Sequence, residues 1–251
     1  MKQKWFGLIV LPGILLILSC CYTPPPILRM TPKTDQTTWL FGKEYSKQIK
    51  DGLSIAVAFD RYSYPHFVLD VCISNLDSQS VLIAPEKFYY LPKDSVFSGP
   101  RTEIFARDPE LQILEVNKRT SREHARYSQS TDLSLLSSFL GLLSDVSSIG
   151  KSKTEEEIEE ERRLDEEARE NEEENEITHK ERIYDLNELR DQWEAGALRK
   201  TTLNQHFSIR GKVYFPINTK FHWIEIRFPL GDTCFNFIFQ QEQIPVESGG
   251  C

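Results

Sequence analysis

Residues 222–239 read His222-Trp223-Ile224-Glu225-Ile226-Arg227-Phe228-Pro229-Leu230-Gly231-Asp232-Thr233-Cys234-Phe235-Asn236-Phe237-Ile238-Phe239. His222, Ile224, Ile226 and Phe228 alternate with Trp223, Glu225 and Arg227. After Leu230-Gly231-Asp232, Phe235, Phe237 and Phe239 alternate with Cys234, Asn236 and Ile238. A period of two sends alternate side chains to opposite faces, so this stretch predicts two strands with one strongly apolar face. Gly-Asp between them is a hairpin signal. Such a face needs a second layer to bury it.

The same period recurs upstream. Ile55, Val57 and Phe59 alternate with Ser54, Ala56 and Ala58, and Phe67, Leu69, Val71 and Ile73 alternate with Val68, Asp70, Cys72 and Ser74. Asn75-Leu76-Asp77-Ser78 is a turn, after which Val81-Leu82-Ile83 resumes. Phe88-Tyr89-Tyr90-Leu91 and the run from Leu111 to Val116 read as further strands, and Val213 and Phe215 alternate with Lys212 and Tyr214 before Pro216. The fold class is therefore mainly β, a sandwich of about seven short strands. Gly211-Lys212-Val213-Tyr214-Phe215-Pro216 resembles the G-x-V-x-F-P strand of small immunoglobulin-like modules in bacterial envelope lipoproteins. The resemblance covers residues 68–83 and 201–240 and implies an immunoglobulin-like sandwich with no known active site.

Between the two strand regions the composition changes. Leu133, Leu136, Leu140, Leu143 and Val146 fall at helical spacing, with Leu135, Phe139 and Leu142 beside them. Ser130, Thr131 and Asp132 are candidate caps, and Gly150 is a candidate stop. Thr154-Glu155-Glu156-Glu157 has the form of a capping box opening a second helix. That helix is almost all charge to residue 176, with Glu159/Arg163, Asp165/Arg169 and Glu176/Lys180 at i,i+4. From Ile183 an apolar stripe runs through Leu186, Leu189, Trp193 and Ala197. The insertion is expected to be an α-helical hairpin with coiled-coil character. Either residues 118–131 form an extended strap beside a long helix, or the helix breaks near residues 177–179. Leu135, Phe139, Leu142 and Trp193 are the expected partner-docking residues, because they lie off the stripe that pairs the two legs or end the second one. The sandwich is expected to fold without residues 122–199.

The N-terminus supplies an address. Lys2 and Lys4 precede a short apolar run from Trp5 to Leu18, broken by Pro12-Gly13. This is the pattern of a secretory signal and is shorter than the roughly 20 apolar residues of a spanning helix. Ile17-Leu18-Ser19-Cys20 resembles the lipobox of bacterial lipoproteins. The resemblance implies a diacylglyceryl group on Cys20, cleavage before it, and an acylated mature N-terminus with palmitate-type chains. Two or more chains give stable anchoring. Cys21 after the lipidated position, in place of an acidic residue, implies an outer-membrane destination. The expected division is 1–19 signal peptide, 20–38 lipidated Cys and Pro-rich tether, 39–118 first part of the sandwich, 119–200 helical insertion, 201–241 last strands and 242–251 tail.

Chemistry is sparse. The net charge of −8 over 251 residues argues against nucleic-acid binding, which uses a basic patch. Of five Cys, four remain after Cys20, at spacings too irregular for a zinc site. Cys72 and Cys234 lie on the faces opposite the apolar ones, leaving a cross-strand bond within one sheet open, and unpaired thiols or a Cys21–Cys251 bond are also open. His66, His124, His179, His206 and His222 form no metal-ligand pattern. No nucleophile elbow, phosphate loop or dinucleotide fingerprint is present. Lys118, Arg119, Arg122, His124 and Arg126 make a basic cluster that either meets anionic head groups or neutralises the acidic helix. The expectation is a non-catalytic envelope lipoprotein without cofactor or metal, binding the membrane through lipid and an envelope protein through its arm. The alternatives are a carrier of an apolar ligand and an enzyme with an unrecognised site.

Overall fold

The computed structural model describes residues 27–34, 36–93, 102–147 and 154–245; within the first helix, the side chains of residues 137, 138 and 141–147 are outside this set. The signal segment, Cys20, Cys21 and Cys251 lie outside it as well. Twelve strands occur among the described residues, against about seven expected. They are β1 (Ile27–Pro32), β2 (Thr37–Leu40), β3 (Lys43–Lys50), β4 (Leu53–Ser63), β5 (His66–Asn75), β6 (Val81–Ile83), β7 (Tyr89–Lys93), β8 (Ile104–Phe105), β9 (Thr201–Leu203), β10 (Ser208–Pro216), β11 (Trp223–Leu230) and β12 (Thr233–Ile244). One five-stranded sheet has the order β1-β12-β11-β7-β8, the other β10-β5-β4-β3-β2, and β6 pairs with β9. All the strand pairs are antiparallel.

The apolar side chains of the alternation are the ones buried between the sheets. Ile55, Val57, Phe67, Leu69, Val71 and Ile73 from one sheet meet Ile224, Ile226, Phe228, Phe235, Phe237 and Phe239 from the other, all essentially without solvent contact. Phe67 stacks on Phe215 at 5.3 Å between centroids, and Tyr90 donates its hydroxyl to the Pro216 carbonyl at 2.9 Å, so its one polar atom is satisfied. Leu230 pairs with Thr233 across Gly231-Asp232, with Gly231 at φ 59°, the left-handed backbone that a two-residue turn requires.

Three stretches differ from the sequence reading. Ile27–Pro32, expected in the tether, is an edge strand on β12, with Leu28 and Met30 buried and Pro32 ending it where no ladder donor is needed. The last strand reaches Ile244, beyond the expected boundary at 241. Leu111–Val116, expected as a strand, opens helix α1 (Pro109–Ser147). Leu111/Ile113 and Leu114/Val116 are each two apart, as in a strand, but only Ile113 and Val116, three apart, are buried. Asp108 decides the matter: its carboxylate accepts the Glu110 amide at 2.9 Å, and Pro109 takes the first helical position.

The insertion between β8 and β9 is thus two long helices, α1 of 39 residues and α2 (Glu155–Asp191) of 37. Each is about 55–60 Å long at 1.5 Å per residue. There is no extended strap over 118–131 and no break at 177–179. Ser130 and Thr131 cap nothing; their hydroxyls donate to the Tyr127 carbonyl inside the helix. The capping box is present: Thr154 Oγ1 accepts the Glu157 amide, and Glu157 accepts the Thr154 amide at 2.9 Å. After Asp191 the backbone widens into one π-type turn, Gln192–Gly196, and returns to the body.

Candidate functional site

The arm is rooted in a second, smaller core on the outer face of the β10-β5 sheet. Val68 and Tyr214, the residues that alternation turned outward, are covered by Ile113 and Val116 of α1, by Trp193 and Ala197 after α2, and by Leu186 and Leu189 at its end. Trp193 packs on Tyr214 at 4.4 Å between rings, and Gln192 donates to the Tyr214 hydroxyl at 3.2 Å. Trp193 is therefore internal, unlike Leu135 and Phe139. A bidentate pair from Arg199 to Glu110, at 2.8 and 2.7 Å, ties the return strand to the start of α1. Lys200 binds Glu86 at 2.9 Å.

Beside this foot lies a charge cluster. Asp70 is buried on β5 and takes hydrogen bonds from Arg210 (2.9 and 2.8 Å), Lys212 (2.8 Å) and Lys43 (3.1 Å). Lys43 and Lys212 also reach Asp60, and Arg210 donates to the Tyr45 hydroxyl. Burial alone would raise the Asp70 carboxyl; the bonds from Arg210, Lys212 and Lys43 outweigh it and hold its pKa well below the usual carboxylate range. A carboxylate held ionised by three cations is neither a proton donor nor a free base at neutral pH, so the cluster is a brace across β3, β4, β5 and β10. His66 accepts from Arg107 Nε at 3.1 Å, and burial with that neighbouring charge pushes its pKa down.

Further out, the two helices run antiparallel. Arg182 donates to Glu123 at 3.3 Å, and Tyr127 stacks on His179 at 4.2 Å with an interplanar angle of 11°. His179 Nδ1 is 3.6 Å from Glu123, beyond hydrogen-bond range, and is among the buried side-chain atoms without a partner. Beyond Tyr127 the seam is mixed: Ser130, Thr131, Leu133 and Ser134 face Ala168, Asn171, Glu172 and Asn175 around an open cleft of about 330 Å³. Leu133, Leu135, Leu136, Phe139 and Leu140 are 58–64% exposed. At 100° per residue Leu136, Phe139 and Leu140 lie on the side of α1 turned away from that seam. Of the expected leucine stripe, Leu133 lines that cleft, Leu136 and Leu140 face out, and Leu143 and Val146 lie in the stretch whose side chains are outside the described set. Leu142 is on the same helix, in the stretch whose side chains are outside the described set.

Comparison with known protein families, characterised proteins and solved structures finds no match.

The remaining candidates are quickly placed. Cys72 and Cys234 are free thiols on different sheets, so no cross-strand bond within one sheet joins them. Arg119 and Arg122 of the basic cluster turn to Glu115, and Arg126 to Glu123, acids of their own helix. In α2, Arg162 pairs with Glu159 and Arg163 with Glu160 at i,i+3, while Glu176–Lys180 is made at i,i+4. Among the described residues no group of three or more His, Cys, Asp or Glu is placed to hold a metal ion. No helix among them is long and apolar enough to cross a membrane.

Proposed function

We propose that this chain is a lipid-anchored cell-envelope protein of the outer membrane, non-catalytic, whose arm docks an envelope protein. In this reading Cys20 carries the lipid, and the body is an enlarged immunoglobulin-like sandwich. The observation that carries the docking reading is the outward leucine face of α1. A two-helix hairpin in water normally turns its apolar stripe into its own seam. Here the seam holds Ser130, Thr131, Leu133 and Ser134, leaving Leu136, Phe139 and Leu140 for a third element. The partner is expected to carry an apolar groove with a basic rim, because α2 beside the stripe is dense in Glu. A carrier or enzyme is less well supported, since the cleft in the arm is open to solvent and the buried charges of the body are mutually saturated.

The test replaces Leu135, Leu136 and Phe139 with Ser or Gln and places a photo-crosslinking residue at Leu140 in intact cells. Docking predicts an unchanged melting temperature, one crosslinked protein that disappears in the substituted variant, and salt-sensitive association of the purified pair. Crosslinks to a second copy or to lipid alone, or a large fall in melting temperature, would refute it.

A further inference from the structure

The end of the sandwich at which the chain enters is unlike the opposite end. Leu28 and Gln243, at the start of β1 and the finish of β12, line one cleft of about 610 Å³ with Tyr62, Tyr64, Pro65, Ile217 and Lys220. The entry point thus lies at the β4–β5 turn. The β2–β3 turn lies at the same end, because Phe41 is two residues before Lys43, the first residue of β3, which pairs with Asp60 near the finish of β4. Phe41 and Tyr64, the tips of the two turns, are 83% and 82% exposed, and Trp39 is 63% exposed. At the opposite end the cleft is lined by Asp51, Asp77 and Asp232. Leu76 and Phe207 are exposed in that region too. Three carboxylates nonetheless oppose approach to an anionic surface.

We propose that the end formed by Phe41, Tyr64 and the 217–220 loop is a membrane-contact face, seated at head-group level on the bilayer that holds the lipid of Cys20. The inference rests on the anchor proposed above. Six residues lie between Cys20 and Ile27, seven steps along the chain. Even fully extended they span at most about 25 Å, so the entry end of the body stays within that distance of the acyl chains' attachment point. Tyr and Trp favour the membrane–water boundary, where the ring is buried and the polar edge stays wet. Lys220 in the same cleft suits lipid phosphate. A face with these side chains, held this close, settles on the surface because tethering makes the second contact intramolecular.

The test uses the full chain, made in a bacterial host, extracted in detergent and reconstituted into phosphatidylcholine–phosphatidylglycerol vesicles with bromine near the head-group end of the acyl chains. Tryptophan emission is expected to be quenched. Trp39→Phe should remove most of that quenching, Trp193→Phe, buried at the foot of the arm, should leave it, and Phe41→Ser with Tyr64→Ser should abolish it. The mass of the N-terminal peptide from the same sample reports lipid at Cys20 independently. Lipid present without Trp39-dependent quenching overturns the contact face and leaves the anchor standing. Trp39-dependent quenching without lipid supports the face and removes the anchor. Neither signal removes both. Loss of a protein crosslink, rather than of quenching, in the Phe41→Ser and Tyr64→Ser variant also overturns the membrane assignment.

Discussion

Gly211→Ala tests the joint between arm and body most directly. Gly211 is on β10, the sheet's edge strand, and the chain returning from the arm lies against it. A Cβ there would fall 2.6 Å from both the N and Cα of Leu198, where ordinary contacts are 3.4–4 Å. These are backbone atoms, so no rotamer change relieves the overlap; the strand must move by about 1 Å. Overpacking of this kind costs about 1–3 kcal/mol. The shift also threatens the hydrogen bond from Leu198 N to Lys212 O, 2.9 Å, contributing about 1 kcal/mol. Fewer unfolded conformations offset this by about 0.4–1 kcal/mol. The net loss is about 2–3 kcal/mol, or about 5–12 °C in melting temperature for a domain of this size. Gly196→Ala is the control: its added Cβ meets nothing within 4 Å, and its φ is not left-handed. Thermal and urea denaturation followed by circular dichroism should separate the two variants clearly. Equal stabilities would refute the close approach of the return strand.

Three further outcomes are expected. Asp70→Asn should cost about 2–3 kcal/mol near neutral pH, less than a fully buried pair because Arg210 is partly exposed and can resolvate. The folded pKa of Asp70 lies below its unfolded value of about 3.9, so its stabilisation is complete above about pH 4 and lost as pH falls through the folded pKa; urea midpoints of variant and parent should converge only in that acid range. Trp193→Ala opens a cavity against Tyr214 and should lower stability by about 3–5 kcal/mol, with faster amide exchange in the first turns of α1. Joining residues 124 and 179 by a short Gly/Ser linker should leave unfolding within about 0.5 kcal/mol of the parent, whereas excising residues 122–199 removes Trp193, Ala197 and Leu198 and should abolish cooperative melting.

The alternation at 53–74 and 222–239 was sufficient to read which face of β4, β5, β11 and β12 is buried, because period two has no helical counterpart there. It was insufficient at Leu111–Val116, where apolar residues two apart read as a strand and the local cap Asp108-Pro109 carried the deciding information. Ile27–Met30 was overshadowed by the prolines around it. The foot of the arm was hidden for a different reason. Val68 and Tyr214 sit at positions that alternation assigns to solvent, and only the tertiary approach of Trp193 makes them core. Likewise the leucine stripe was legible as a stripe, but its direction depends on which face of α1 meets α2. Gly211 was visible as part of a motif; its reason, the passage of Leu198 over it, was not.

The pairing of β1 with β12 joins Ile27 to Ile244, and β5 takes β10 as its outer neighbour. Both sheets therefore wait for residues 208–244. Until those residues emerge, β2 to β5 are a meander with one bare apolar face, and β7 has no β11 beside it. Contacts this distant in sequence form late, because their loop-closure entropy precedes any reward. For a chain threaded across a membrane, as proposed here, that order is useful: the closed sandwich cannot form in the pore while residues 208–244 are still on the near side. The body closes only when its last strand arrives.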